Sequence, residues 1–220
     1  MAPLAPEVEV ELRRGDQRVV LWNCTPQHLE DLTVGWLVGE GRIENPERIG
    51  TIRVDPDGKT VRIDGEALRS AGRNSEIPTV SLPATSQFVE QFSAPDRLRS
   101  LYAEMFARGE LREQTGGVHT GALVVGGHVR AVREDVSRHC VVDKLIGACW
   151  REGLRPTDCR ILLTSRVSGA IAAKVARAGI PVVATMSVPT TLAGSIAARA
   201  GVTMIGRGRS SRPHVYRTDV

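Results

Sequence analysis

The chain opens on an alternating pattern. In EVEVEL (7–12) charged and apolar residues take turns, and RVVLWNC (18–24) follows across the polar turn RRGDQ. Two such runs around a glycine turn predict a β-hairpin. Thr25-Pro26 then reads as a helix start, with threonine as N-cap, proline in the first helical position, and Glu30 and Asp31 in the early turns. Leu29, Leu32, Trp36 and Leu37 recur at helical spacing behind it. TIRVDPDGKTVRIDG (51–65) predicts a second hairpin, turning at Asp55-Pro56-Asp57-Gly58. Residues 70–95 are polar, proline-punctuated and without period, and read as a loop between two halves. An amphipathic helix is expected over 96–110, ending at Gly109.

The rest of the chain is more regular. GALVV (121–125) and HVRAV (128–132) pair around Gly126-Gly127, and 138–152 reads as a helix. RILLTS (160–165) is an apolar strand, SGAIAAKVARAG (168–179) a helix from Ser168 to Gly179, and IPVVATM (180–186) a second strand. A helix from Thr190 to Ala200 and the strand VTMIG (202–206) complete the series. Strand, helix, strand, helix, strand at this spacing predicts parallel strands joined by right-handed crossovers. The class is therefore α/β, a mixed or mainly parallel sheet in 96–220 with a small β-rich subdomain in 1–95.

In such a sheet ligands bind beyond the carboxyl ends of the strands. Three loops fall there: Thr164-Ser165-Arg166, Ser187-Val188-Pro189-Thr190-Thr191, and Arg207-Gly208-Arg209-Ser210. The first two run into helix N-termini, whose free N–H groups and dipole favour anions. The third belongs to RGRSSRPHVYR (207–217), which holds Arg207, Arg209, Arg212 and Arg217 and no acid. Guanidinium and backbone N–H together can wrap a phosphate, so the strand order predicts an anion or nucleotide site.

Composition adds little to that. The 220 residues carry a net charge of +4, 41% hydrophobic and 4% aromatic content. Small aliphatic residues therefore do most of the packing, and the charge is too weak to argue for nucleic acid by itself. Cys24, Cys140, Cys149 and Cys159 fit neither a zinc ribbon nor a disulfide framework. MAPLAPEVEVELRRGD has no apolar core of a signal peptide, and no apolar run reaches the ~20 residues that span a bilayer. The expectation is a cytoplasmic protein with reduced thiols and no membrane contact.

Candidate chemistry concentrates in REDVSRHCVVDK (133–144). His139 and Asp143 stand at i,i+4, so the carboxylate is placed to hold the imidazole. His119, in QTGGVHTGA, comes from a different element, and the two histidines together could serve as acid and base or orient a substrate. Equally, the stretch reads as a helix start capped by Asp135 or Ser137, with His139 hydrogen-bonded and inert. Cys140 sits in the first turn beside Arg138 and His139, where a thiol's pKa falls, but Val141 and Val142 place it towards a core. Cys24, just before a helix start, is a second candidate thiol. A zinc deaminase signature is absent, and two histidines without a thiolate pair make no ligand set, so no metal is expected.

These segments carry a resemblance. TGGVHTGA (115–122), REDVSRHCVVDKLIG (133–147), LLTSRVSGAIAAKVARAGIPVVATMSVPTTLA (162–193), VTMIGRGRSSRPHVY (202–216) and NCTPQHLEDLTVGWLVGEGRI (23–43) resemble the FdhD family, in order and over nearly the whole chain. The resemblance implies an accessory protein of formate dehydrogenase. It further implies a sulfurtransferase that takes sulfur from a cysteine desulfurase and passes it to the molybdenum bis-molybdopterin guanine dinucleotide cofactor, of which GDP is a mimic. It also implies a cytidine-deaminase-like three-layer domain and a homodimer. The family's E-D-V-G-R-H segment falls on Glu134, Asp135, Val136, Ser137, Arg138 and His139, with serine in place of glycine. Its T-G-x-x-H segment falls on Thr115, Gly116 and His119. The stretch used against the guanine dinucleotide falls on Arg207, Gly208, Arg209, Ser210, Ser211 and Arg212. Ser165, Arg166 and Thr190 join that set from the loop reading.

One departure matters. The family's C-G-x-C-G loop, whose first cysteine bears the persulfide, corresponds to AGRNSEIPTVSLPATSQ (71–87), which has no cysteine. Sulfur relay needs a thiolate acceptor. Either Cys140 or Cys24 takes that part, or the chain binds cofactor without transferring sulfur. Two further readings stand beside these: a hydrolytic enzyme of deaminase-like fold using His119, Glu134 and His139, and a nucleotide or nucleic-acid binder using Arg207 to Arg217.

Overall fold

Strand register explains how one sheet buries both faces. In a computed structural model, residues 3–43, 45–65, 68–69 and 86–216 are described. Six strands form the larger sheet: β5 (His119–Val125), β6 (His128–Asp135), β7 (Cys159–Leu163), β8 (Val182–Thr185), β9 (Thr203–Gly206) and β10 (His214–Tyr216). Their order is β10-β9-β8-β7-β5-β6. Strands β7, β8 and β9 run parallel, as expected, whereas β5 is antiparallel to β7 and β6, and β10 to β9. The sheet is mixed.

Successive side chains point to opposite faces, and both faces are covered. Leu123, Ile161, Leu163, Val183 and Met204 pack with helices α5 (Arg138–Arg151), α6 (Gly169–Arg177) and α7 (Thr191–Ala200). Ala122, Val124, Leu162, Val182, Ala184 and Ile205 pack with α3 (Pro95–Ala107) and with Phe92 of α2 (Ser86–Ser93). The result is three layers, helix, sheet and helix.

The smaller sheet has the order β2-β1-β4-β3, built from β1 (Val8–Arg14), β2 (Gln17–Cys24), β3 (Ile52–Val54) and β4 (Thr60–Ile63). Both expected hairpins form, and a parallel β1–β4 pairing joins them. Val10, Leu12, Trp22, Cys24, Val61 and Ile63 bury one face against α1 (Leu29–Gly39). That helix packs on α5 through two glycines. A Cβ on Gly35 would meet the Asp143 carbonyl oxygen at 1.7 Å, and one on Gly147 the Asp31 carbonyl oxygen at 1.9 Å. The backbones touch where a side chain would stand.

Three expectations are corrected. Helix α1 begins at Leu29, not at Thr25; its N-cap His28 has left-handed backbone (φ 53). The Thr25 hydroxyl works elsewhere, donating to the Pro6 carbonyl at 3.0 Å and accepting from Val136 N–H at 3.2 Å. The helix expected over 96–110 stops at Ala107, and a separate short helix α4 (Glu110–Thr115) follows. Within the expected loop 70–95, residues 86–93 are helical, while 70–85 lie outside the described residues. Beyond the expected loop at 207–210, the basic stretch 207–217 adds a strand: His214–Tyr216 pairs with β9, and Arg217 lies outside the described residues. Among the described residues no helix is long and apolar enough to cross a membrane.

Candidate functional site

Because β7, β8 and β9 are parallel, their carboxyl ends share one rim of the sheet. Strand β5 runs the other way and brings its start, His119, to that rim, where His119 pairs with Asp135 at the end of β6. The rim therefore collects the His119 and Asp135 strand ends, the Thr164-Ser165-Arg166 and Ser187–Thr191 loops, and the Arg207–Pro213 connection from β9 to β10. Both histidine-bearing segments and the arginine loop stand on the same edge.

Three helices start there. Ser137 and Ser168, the N-caps of α5 and α6, have extended backbone but make no side-chain cap hydrogen bond among the described residues. Thr190, the N-cap of α7, accepts from Ala193 N–H at 3.3 Å. Uncapped first turns leave N–H donors and the positive helix end facing the rim.

The arginine loop is tightly anchored. Arg207 N–H donates to the Ser187 carbonyl at 2.7 Å and Gly208 N–H to the Thr185 carbonyl at 2.8 Å. The Thr185 hydroxyl donates to the Ser165 carbonyl at 2.5 Å and accepts from Ser187 N–H at 3.0 Å, tying all three loops together. Arg207 has φ 54, a left-handed conformation that a non-glycine residue holds at a cost. Gly208 lies flat on Tyr102 of α3: a Cβ there would come within 2.7 Å of the ring. Ser210 N–H closes a turn onto the Arg207 carbonyl at 2.8 Å, and the Ser210 hydroxyl accepts from Arg212 N–H at 3.2 Å. Arg166, Arg207, Arg209, Ser211 and Arg212 are exposed, and Arg209 lies over the Phe106 ring at 5.5 Å. Among the described residues no carboxylate comes within ion-pair distance of Arg166, Arg207, Arg209 or Arg212.

The other half of the rim is differently built. His119 and His139 are half-buried, and no hydrogen bond joins them among the described residues. Burial, then Arg138 and Arg112, lowers the pKa of His119; burial, then Lys174 and Arg138, lowers that of His139. Arg138 thus acts on both, and both imidazoles are held neutral at neutral pH. Asp143 does not hold His139, as the i,i+4 spacing suggested. It turns inward and accepts two hydrogen bonds from the buried Lys174, at 2.8 and 2.9 Å. Lys174 also lies 2.7 Å from Glu40 of the α1 C-cap.

Glu134 serves as a cap from outside its own element. Gly109 offers α4 no side chain, and the Glu134 carboxylate accepts from Leu111 N–H at 2.7 Å, Arg112 N–H at 3.1 Å and the Thr120 hydroxyl at 2.9 Å. Thr115 and Gly116 end α4: the Thr115 hydroxyl donates to the Leu111 carbonyl at 2.7 Å, and Gly116 takes φ 66. All four cysteines are buried. Burial, and then the Asp135 carboxylate, pushes both the Cys24 and Cys140 thiols up to about 12.

Sequence reasoning missed the Asp135–Lys144 and Lys174–Glu40 pairs and the Tyr102 floor under Gly208. Lys174–Glu40 and the Tyr102 floor join elements far apart in the chain, and Asp135 meets Lys144 across the β6–α5 junction, where no local pattern marks the pair.

The sequence model of the FdhD/NarQ family matches residues 5–219. The chain belongs to this family. FdhD relatives cover nearly all of it: a sulfur carrier protein FdhD from Xanthomonas campestris is 32% identical over 97% of this chain and 83% of its own length. The counterpart from Methanothermobacter thermautotrophicus is 30% identical over 96% and 87%. Among solved structures, a crystal structure from Desulfotalea psychrophila, assigned as a formate dehydrogenase accessory protein, superposes with a TM-score of 0.80 at 25% identity. It matches 97% of this chain and 88% of its own. The FdhD likeness thus covers both sheets and the rim between β5 and β10.

Proposed function

We propose that this chain is an accessory protein for a formate dehydrogenase, and that it holds the molybdenum bis-molybdopterin guanine dinucleotide cofactor as cargo at the arginine rim. One observation carries the reading: four exposed guanidiniums without a carboxylate partner among the described residues belong to loops on the same rim of the sheet at which α6 starts without a side-chain cap. An unneutralised cluster of this kind, next to free helix N–H groups, is suited to a diphosphate. Thr190, Ser210 and Ser211 supply neutral donors around it, whereas Ser165 is buried and its hydroxyl donates to the Arg166 carbonyl at 3.3 Å. The neutral His119 and His139, with Arg138 between them electrostatically, form the far wall. As in the family the chain resembles, we read it as a cytoplasmic homodimer.

Calorimetric titration with GDP, the mimic of the cofactor's nucleotide arm, tests this. We expect saturable binding that weakens about tenfold when Arg207 or Arg209 becomes alanine, the loss of one charge-assisted contact. No heat at millimolar GDP contradicts it.

A second reading keeps the sulfur relay, which the name of the curated relatives favours. It needs a thiolate to accept sulfur from a cysteine desulfurase, and segment 71–87 contains no cysteine. Cys140 or Cys24 would have to serve, although burial disfavours both thiolates. Labelling with a desulfurase and radioactive cysteine separates carrier from holder. Label that persists in a Cys24→Ala, Cys140→Ala double variant removes both as carriers. Acid–base hydrolysis through Glu134 is not adopted, because its carboxylate already accepts three hydrogen bonds.

A further inference from the structure

Cys149 and Cys159 take no part in the rim. Cys149 lies in the last turn of α5 and Cys159 is the first residue of β7, so both sit at the opposite end of the sheet. Their sulfurs are 3.4 Å apart, and neither side chain is exposed. A disulfide needs about 2.05 Å, so closure requires an approach of about 1.4 Å. Both belong to the core beneath α5, α6 and α7, and the loop between them touches both sulfurs. The Leu154 carbonyl accepts from the Cys149 thiol at 3.7 Å and the Arg155 carbonyl from the Cys159 thiol at 3.4 Å, while Arg155, Thr157 and Asp158 around them are exposed. Local opening of an exposed loop of this kind costs less than global unfolding.

The two thiols are not equivalent. The Cys149 hydrogen bond and then the Arg160 guanidinium lower the pKa of Cys159, whereas the same pairing raises that of Cys149. Thiolate character selects the sulfur that is oxidised first.

We propose that Cys149 and Cys159 form a redox-active dithiol that a hydroperoxide converts into an intrachain disulfide, with Cys159 as the attacking sulfur and Cys149 as the resolving one. The Cys159 thiolate takes the terminal oxygen of the hydroperoxide: an S–O bond forms, the O–O bond breaks, and the departing oxide takes up a proton. Cys149 then attacks the sulfenic sulfur; the S–S bond forms, the S–O bond breaks, and hydroxide leaves with the Cys149 proton as water. Two thiols lose two electrons and the hydroperoxide gains them. The new bond pins the end of α5, the helix whose other end carries Arg138 and His139.

Peptide mapping of the whole chain after brief exposure to hydrogen peroxide tests this. We expect a Cys149–Cys159 linked peptide that dithiothreitol reverses, with Cys24 and Cys140 still reduced, and a higher Tm in the oxidised protein. In a Cys149→Ser variant Cys159 should stop at a sulfenic acid that dimedone traps. Should that variant not fold, the map of the unaltered chain decides alone. Oxidation of Cys24 or Cys140 ahead of this pair, or a pair still reduced once the protein unfolds, overturns the proposal.

Discussion

The Lys144 ammonium lies 2.7 Å from the Asp135 carboxylate, and neither side chain has any exposed surface. Lys144 also donates to the Thr25 carbonyl at 2.9 Å, while Asp135 accepts from Thr25 N–H at 3.2 Å and Ser137 N–H at 2.8 Å. One ion pair therefore joins the end of β2, the end of β6 and the body of α5, and Asp135 pairs in register with His119. Removing one partner leaves an uncompensated buried charge, which costs about 3–5 kcal/mol. Urea unfolding should show that loss for Lys144→Met alone, and a smaller one for Lys144→Met combined with Asp135→Leu. A double variant as damaged as the sum of the singles would deny the coupling.

The glycines of the α1–α5 contact make a paired prediction. Gly35→Ala and Gly147→Ala each force a methyl into a carbonyl oxygen under 2 Å away, so each should cost at least about 1–3 kcal/mol. Gly194, inside α7, has nothing within 4 Å of its Cβ position. Gly194→Ala should stabilise by up to about 1 kcal/mol through helix propensity alone. Thermal unfolding of the three variants distinguishes packing from propensity.

Acid should weaken the fold through its histidines. His28, His119 and His139 all have pKa values lowered from 6.5, first by burial. A group whose folded pKa lies below its unfolded value stabilises fully above the unfolded value and loses that stabilisation as pH falls through the folded one. Urea midpoints should therefore drop between pH 7 and pH 5. His139→Gln and His119→Gln should each flatten that drop, and an unchanged slope would show that these imidazoles titrate as they do in the unfolded chain.

Much of the architecture was readable from local pattern. The two N-terminal hairpins and the β7–α6–β8–α7–β9 series follow from alternation, turn residues and apolar runs that interact within about thirty residues of one another. What escaped depended on distant partners. Thr25-Pro26 looks like a helix start, but Pro6 and Val136 claim the threonine hydroxyl. His139 and Asp143 have ideal spacing, yet Lys174 from another helix offers the carboxylate a charged and buried partner. Glu134 reads as an acid–base candidate until Gly109 leaves α4 in need of a cap. The rim itself was legible because strand direction follows from crossover handedness.

Arg207 separates stability from binding. Its left-handed backbone costs about 1–2 kcal/mol in a non-glycine residue, and glycine at that position gives back part of it in unfolded-chain entropy. Arg207→Gly should therefore raise stability by up to about 1 kcal/mol while weakening GDP binding as alanine does. A clear loss of stability would mean that the guanidinium, rather than the ligand, is what the loop requires.

Diffraction from crystals soaked with GDP decides whether the rim holds a nucleotide. The diphosphate is expected there, within hydrogen-bonding distance of the Arg207–Ser210 loop and the first turn of α6. A nucleotide bound anywhere else, or an empty rim at saturating GDP, would contradict this.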